Sequence, residues 1–436
     1  MKSNGLRAAA VVVVVMVVSL LDVPVALAGP PHQAASTRPS VGWTRQFGSW
    51  MDDSAGDVAV DGRGDSYVVG TYYLGGEVLR DAFIRSYDAS GSLRWGRRYH
   101  PEIETLGRAV AVDGRGNAYL VGSTEDDDWV NSGAFIRAYG QDGELRWTRR
   151  FGSDRDDSPT DVAVDDDGNV YVVGWTRGAL GRQAPSGGYD AFIRSYLPDG
   201  RLRWTRQFGT SAADQAEGVA VDDAGHVYVV GQTGAALPGQ ANAGKRDAFV
   251  RSYGPDGTLD WTLQFGTSGV DEALGVAVRG DGAFCVAGNT AGLLPGEGSQ
   301  GQGGAFVRCY DASGQLQWTR QGTGNAASVA IDDAHGVIVA GEIWGASRAT
   351  SRSAVGAEAG RLSPQQTIGE SDVFMRAYGP DGALRWTRRF GGPGVDFATA
   401  VVTGPHGAVL LAGAVQSALP GQKSYGGLDA FIRMYR

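Results

Sequence analysis

Glu125-Asp-Asp-Asp-Trp129 puts four carboxylates beside one indole, and Glu102 and Glu104 add two more a short distance upstream. Carboxylates at this density are hard oxygen ligands for a cation. They also suit a cationic or sugar-like partner, with Trp129 offering a flat face and one polar handle. A second acidic pattern is recurrent: Asp53, Asp157, Asp214, Asp271 and Asp396 each stand five residues before an alternating apolar stretch. Such a series either rings an opening or accepts backbone N–H groups and fixes the loops that carry it, the ordinary use of Asp in turns.

Asp165-Asp-Asp-Gly-Asn169 begins like a calcium loop but has no bidentate Glu closing a twelve-residue frame. Arg63-Gly-Asp65 spells an adhesion tripeptide inside a hairpin turn that sister segments share. The five histidines have no metal-ligand spacing, and no nucleophile elbow, phosphate loop or dinucleotide fingerprint is present. The expectation is no cofactor, with calcium the one ion kept in view. Cys285 and Cys309 stand where sister segments hold Tyr171 and Ser195, on strands expected to be neighbours, so a disulfide between them is open.

The elements that would position these residues are written seven times. An Asp-Ala-Phe-Ile-Arg-like segment recurs at Phe83, Phe135, Phe192, Phe249, Phe306, Phe374 and Phe431. A tryptophan segment recurs at Trp43, Trp95, Trp147, Trp204, Trp261, Trp318 and Trp386, spaced 52, 52, 57, 57, 57 and 68 residues apart. Between them, Asp161 to Asp165 alternates into a strand, Asp166 to Asn169 is a turn, and Val170 to Gly174 is a β-branched strand. Asp190 to Tyr196 and Leu202 to Phe208 complete a four-stranded antiparallel blade.

The fold expected is all-β, a seven-bladed β-propeller. Small Val-Ala-Val segments crowd the axis, and the Trp strands form the rim, where Trp and Phe fill the wedge between blades. The chain stops at Arg436, one strand short of a seventh blade, so the strand around Trp43 must supply the missing one. Loops then alternate between a face of tight Asp/Gly turns and a face of longer loops, where binding residues are expected. On the longer-loop face, Leu237-Pro-Gly, Leu294-Pro-Gly and Leu419-Pro-Gly read as turns tucking a leucine against the blade. Residues 344–371 form a long insertion opened by Trp344, a candidate exposed anchor.

These segments, with the Gly-x-Leu-x-Trp turns and Val-x-Val-Gly strands, resemble the bacterial seven-bladed β-propeller (SBBP) repeat family over residues 41–436. The resemblance implies an exported or cell-surface protein and brings no catalytic residues with it.

The amino terminus agrees with export. Lys2 and Arg7 precede an apolar run from Ala8 to Leu21 and a small-x-small site, as in a signal peptide cleaved near Ala28. That run is shorter than the roughly 20 residues of a spanning helix, so no membrane span is expected. Residues 29–40 read as a flexible leader. A net charge of −9 without a basic patch excludes a nucleic-acid footprint. The function expected is a secreted or cell-surface scaffold, a monomer, that binds a protein or polysaccharide through its long-loop face. The alternative is an exported hydrolase or lyase acting on an extracellular polymer.

Overall fold

Each repeat folds onto itself because tight turns join its first strand to its second and its third to its fourth, while a longer loop joins the second to the third. The computed structural model describes residues 38–75, 80–101, 103–125, 132–296, 303–344 and 369–436. The proposed signal peptide, most of the leader, Glu102, Asp126, Asp127, Asp128, Trp129 and most of the 344–371 insertion lie outside these residues.

Seven four-stranded antiparallel sheets make the body, and six of them use consecutive strands. The third blade runs Asp157–Val164, Val170–Thr176, Asp190–Tyr196 and Leu202–Phe208 from axis to rim. In the seventh sheet Val41–Phe47 lies outside Asp429–Tyr435, Ala408–Val415 and Asp396–Gly404. Trp43 stands opposite Met434 and Gln46 opposite Phe431. Paired bonds between Ser40 and Arg436, at 2.7 and 2.9 Å, extend that ladder to the chain's last residue. The amino-terminal strand therefore closes the ring and covers what would be a bare sheet edge.

The wedge between blades is aromatic, as the repeat predicts. Outer-strand Phe47, Phe151, Phe208, Phe265 and Phe390 meet Phe83, Phe192, Phe249, Phe306 and Phe431 of the next blade edge-on, with centroids 5.5–5.9 Å apart. The arginine of each Asp-Ala-Phe-Ile-Arg segment is part of the same wedge. Arg85, Arg194, Arg251, Arg308 and Arg433 lie 4.0–4.5 Å over those outer-strand rings, and Arg137 lies 4.0 Å over Tyr99.

A second latch works at the rim. Trp43, Trp95, Trp147, Trp204 and Trp318 donate their indole N–H to a turn carbonyl of the following blade. Gly91 holds φ +80° beneath Trp43, where a Cβ would come within 2.6 Å of the indole. That turn needs glycine both for its backbone and for the contact.

One expected boundary is corrected. The innermost strand of the third blade begins at Asp157, not Asp161, and every innermost strand carries a β-bulge near its start. A bulge inserts one residue and breaks the period of two, which hides the first half of the strand from an alternation reading. Cys285 and Cys309 are directly opposite in register and are disulfide-bonded. No helix among the described residues is long and apolar enough to cross a membrane.

Candidate functional site at the central opening

The recurring aspartates are buried within the blade junctions and do not line an open ring. Asp53 accepts the N–H of Tyr73 at 2.9 Å and that of Ser49, while Asp214 accepts the N–H of Thr210 and the hydroxyl of Thr233. Asp396 accepts from Gly392 and Gln416 at 2.7 and 3.1 Å. These carboxylates fix the loops that enter each inner strand. Asp165 likewise spends its oxygens on its own hairpin, accepting from Asn169 and from the Tyr171 hydroxyl. The Leu-Pro-Gly turns are tied down as well: the N–H groups of Leu237, Leu294 and Leu419 donate to Gln264, Gln321 and Gln46 at 2.8–2.9 Å, with each leucine buried.

Of the proposed acidic patch, Glu104 and Glu125 are described, and the structure brings them together as direct cross-strand neighbours. Like charges in that position repel. Arg80 of the preceding blade answers both, pairing with Glu104 at 2.7 Å and with Glu125 at 2.5 Å. This part of the patch is thus held together, and half compensated, by one guanidinium from the neighbouring blade. Trp344 is 38% exposed at the end of its strand, opposite Ser371.

The bulges point to residues that the repeat reading passed over. The bulged position reads Gly56, Arg108, Thr160, Glu217, Leu274, Ala327 and Thr399 around the ring. The residue after it reads Asp57, Ala109, Asp161, Gly218, Gly275, Ser328 and Ala400. Charge effects connect two pairs of these positions on blades that are not neighbours.

In the first coupling, burial raises the pKa of Asp57, with the charge of Asp161 adding to the effect. Each of these carboxylates also accepts an inner-strand N–H of the next blade: Val110 to Asp57 at 2.9 Å and Val219 to Asp161 at 2.8 Å. They serve as axial latches.

In the second coupling, nearer the long-loop mouth, Arg108 of the second blade interacts with Glu217 of the fourth. Burial pushes Glu217 up to about 7; a hydrogen bond from Gln232 opposes this, Glu272 adds to it, and Arg108 and Arg246 counter it. Burial lowers the Arg108 pKa, opposed chiefly by Glu125 and Tyr73. Around this pair Gln232 donates to Gln215 at 2.9 Å and accepts from Arg246 at 2.9 Å.

The same face carries aromatic surface that the repeat text did not flag. Trp50 is 68% exposed and lies against Gly75, where a Cβ would come within 2.2 Å of the ring. Trp175 meets Tyr189 edge-on at 4.8 Å, and Arg177 lies 5.2 Å over Tyr189. The sequence signal for all of these was the same: a position where one copy departs from its sisters.

The architecture is that of a seven-bladed β-propeller. The SBBP β-propeller repeat model matches residues 146–181 and 203–237. The chain is similar to the regulatory protein FlaEY of Caulobacter vibrioides, with 25% identity over 409 residues. That alignment covers 81% of this chain, and the chain spans about two-fifths (40%) of that relative's length. Similar solved structures include Sqt1 from Chaetomium thermophilum, with a TM-score of 0.47 and 12% identity, covering 90% of this chain and 89% of that one. Another is the β-propeller domain of the Trilobed protease from Pyrococcus furiosus, with a TM-score of 0.48 and 8% identity, covering 89% and 94%.

Proposed function

We propose that this chain is an exported or cell-surface binding module whose long-loop face, around the central opening, docks a protein or polysaccharide partner. One observation carries the reading. The wedge and rim positions are nearly the same in all blades, whereas the bulged axial position ranges from Gly56 to Arg108 to Glu217. A position that the repeating fold leaves free to vary can present polar groups to a ligand, and a rigid scaffold with variable loops is the usual setting for recognition. Similarity to a regulatory protein accords with a role exercised through binding. Export rests on the amino-terminal sequence.

The test is a screen of the mature protein against immobilised bacterial polysaccharides and envelope proteins, with detection of released product. Retention without product is expected, reduced in a Trp50→Ala/Arg108→Ala double variant and kept in the rim variant Arg97→Ala. Released product would favour a hydrolase or lyase, and equal retention of all variants would remove the face assignment. Amino-terminal sequencing of exported protein is expected to begin near Gly29.

A further inference from the structure

We propose that the central opening on the long-loop face binds a carboxylate-bearing sugar, with Arg108 taking the carboxylate and the Gln215 amide taking a hydroxyl. The inference rests on the binding-module reading and names the chemistry of its ligand.

Among the described residues, Arg80, Arg108 and Arg246 stand at this mouth, and Arg80 and Arg246 are engaged. Arg80 is paired with Glu104 and Glu125. Arg246 bonds Gln232 and stands 3.6 Å from Glu272. Arg108 has neither a hydrogen bond nor an ion pair among the described residues; it is exposed at the bulge of an innermost strand, where the surrounding ring still desolvates its charge. A guanidinium presents five N–H donors in a planar fork that matches a carboxylate bidentately. Partial enclosure by the ring strengthens such a pair relative to bulk water.

The surroundings narrow the ligand. The net charge of −9, together with Glu125 and Glu217 nearby, disfavours a polyphosphate or nucleic acid. A single carboxylate flanked by hydroxyls fits better, because the innermost strand of the fourth blade brings the neutral amide of Gln215 to the same opening. Gln215 uses its carbonyl oxygen on Gln232, and its amide nitrogen has no partner among the described residues. Glu217 accepts a hydrogen bond from Gln232 at 3.3 Å, and burial raises its pKa, with Glu272 adding to the effect and Arg108 and Arg246 countering it. The exposed ring of Trp50 on the same face suits the C–H surface of a sugar chain.

Titration calorimetry of the mature protein with tetragalacturonate, its methyl ester and tetraglutamate tests the inference. Tetragalacturonate is expected to bind at least roughly tenfold tighter than the ester, with Arg108→Ala losing at least roughly tenfold and Arg108→Lys losing less. Sister blades carry Gly56 and Ala327 at this position, so alanine is accommodated there, and an unchanged melting temperature will show that the variant is folded. Equal binding of acid and ester, an Arg108→Ala variant that binds like wild type, or no binding of tetragalacturonate would each overturn the proposal. If tetraglutamate binds and tetragalacturonate does not, the sugar assignment is overturned while the binding face stands. If no ligand of any class is retained in the wider screen, the face itself is lost.

Discussion

The guanidinium of Arg433, in the chain's final strand, lies 4.1 Å over the ring of Phe390 in the neighbouring blade and donates to the Thr44 hydroxyl at 2.9 Å. One side chain thus joins the sixth blade, the seventh blade and the amino-terminal closing strand. Phe390→Ala removes the platform and the edge contact to Phe431 together, and is expected to cost about 3–5 kcal/mol in chemical denaturation.

The blade that breaks this pattern supplies the converse experiment. Gly322 stands where the other outer strands hold an aromatic ring, and Arg376 there donates to the Thr323 carbonyl at 2.9 Å. A Cβ at Gly322 would meet only the flexible end of Arg376. Gly322→Phe is therefore expected to rebuild the wedge and raise stability by about 1 kcal/mol. A lowered melting temperature would show that the junction is committed to its present packing.

Closure is testable by deletion. Gln46 holds the Leu419 loop and donates to Asp429 at 2.9 Å. Removing residues 41–48 leaves the strand Asp429–Tyr435 with an open edge. The truncated protein is expected to melt at lower temperature and to self-associate in sedimentation. A monomer with an unchanged melting point would contradict the arrangement.

The buried carboxyls give stability an acid preference. Burial pushes Glu217 to about 7 and Asp396 to about 6, and raises Asp53, Asp57, Asp157, Asp161 and Asp214. A carboxyl whose folded pKa lies above its unfolded one keeps its proton in the native state after the unfolded chain has released it. The associated stability is full below the unfolded value near about 4 and is lost as pH rises through the folded value, at up to about 1.4 kcal/mol per pKa unit. The urea midpoint is expected to be higher at pH 5 than at pH 8. A flat or rising profile would refute the burial argument.

Arg80 is the keystone of an otherwise repulsive pair. Arg80→Ala leaves Glu104 and Glu125 opposite each other without their cation. A loss of about 3 kcal/mol is expected, mostly recovered when Glu104→Gln and Glu125→Gln are added. Failure of the added changes to recover stability would mean that Arg80 acts through packing alone.

The sequence by itself determined the number of blades, the order of strands within them and the closing role of Val41–Phe47. Each follows from local residue type and from counting copies: Val-Ala-Val suits a crowded axis, Trp and Phe suit a widening wedge, and seven Phe strands with seven Trp strands leave no strand unpaired. It also pointed to the loop-fixing use of the recurring aspartates. Only the tertiary structure decided that Glu104 and Glu125 share one cation, because Arg80 comes from another blade. It alone put Arg108 and Glu217, 109 residues apart in the chain, at matching bulges of innermost strands. The reason is the bulge. One inserted residue turns a side chain out of the blade toward the axis, where its neighbours are chosen by ring closure and not by position in the repeat.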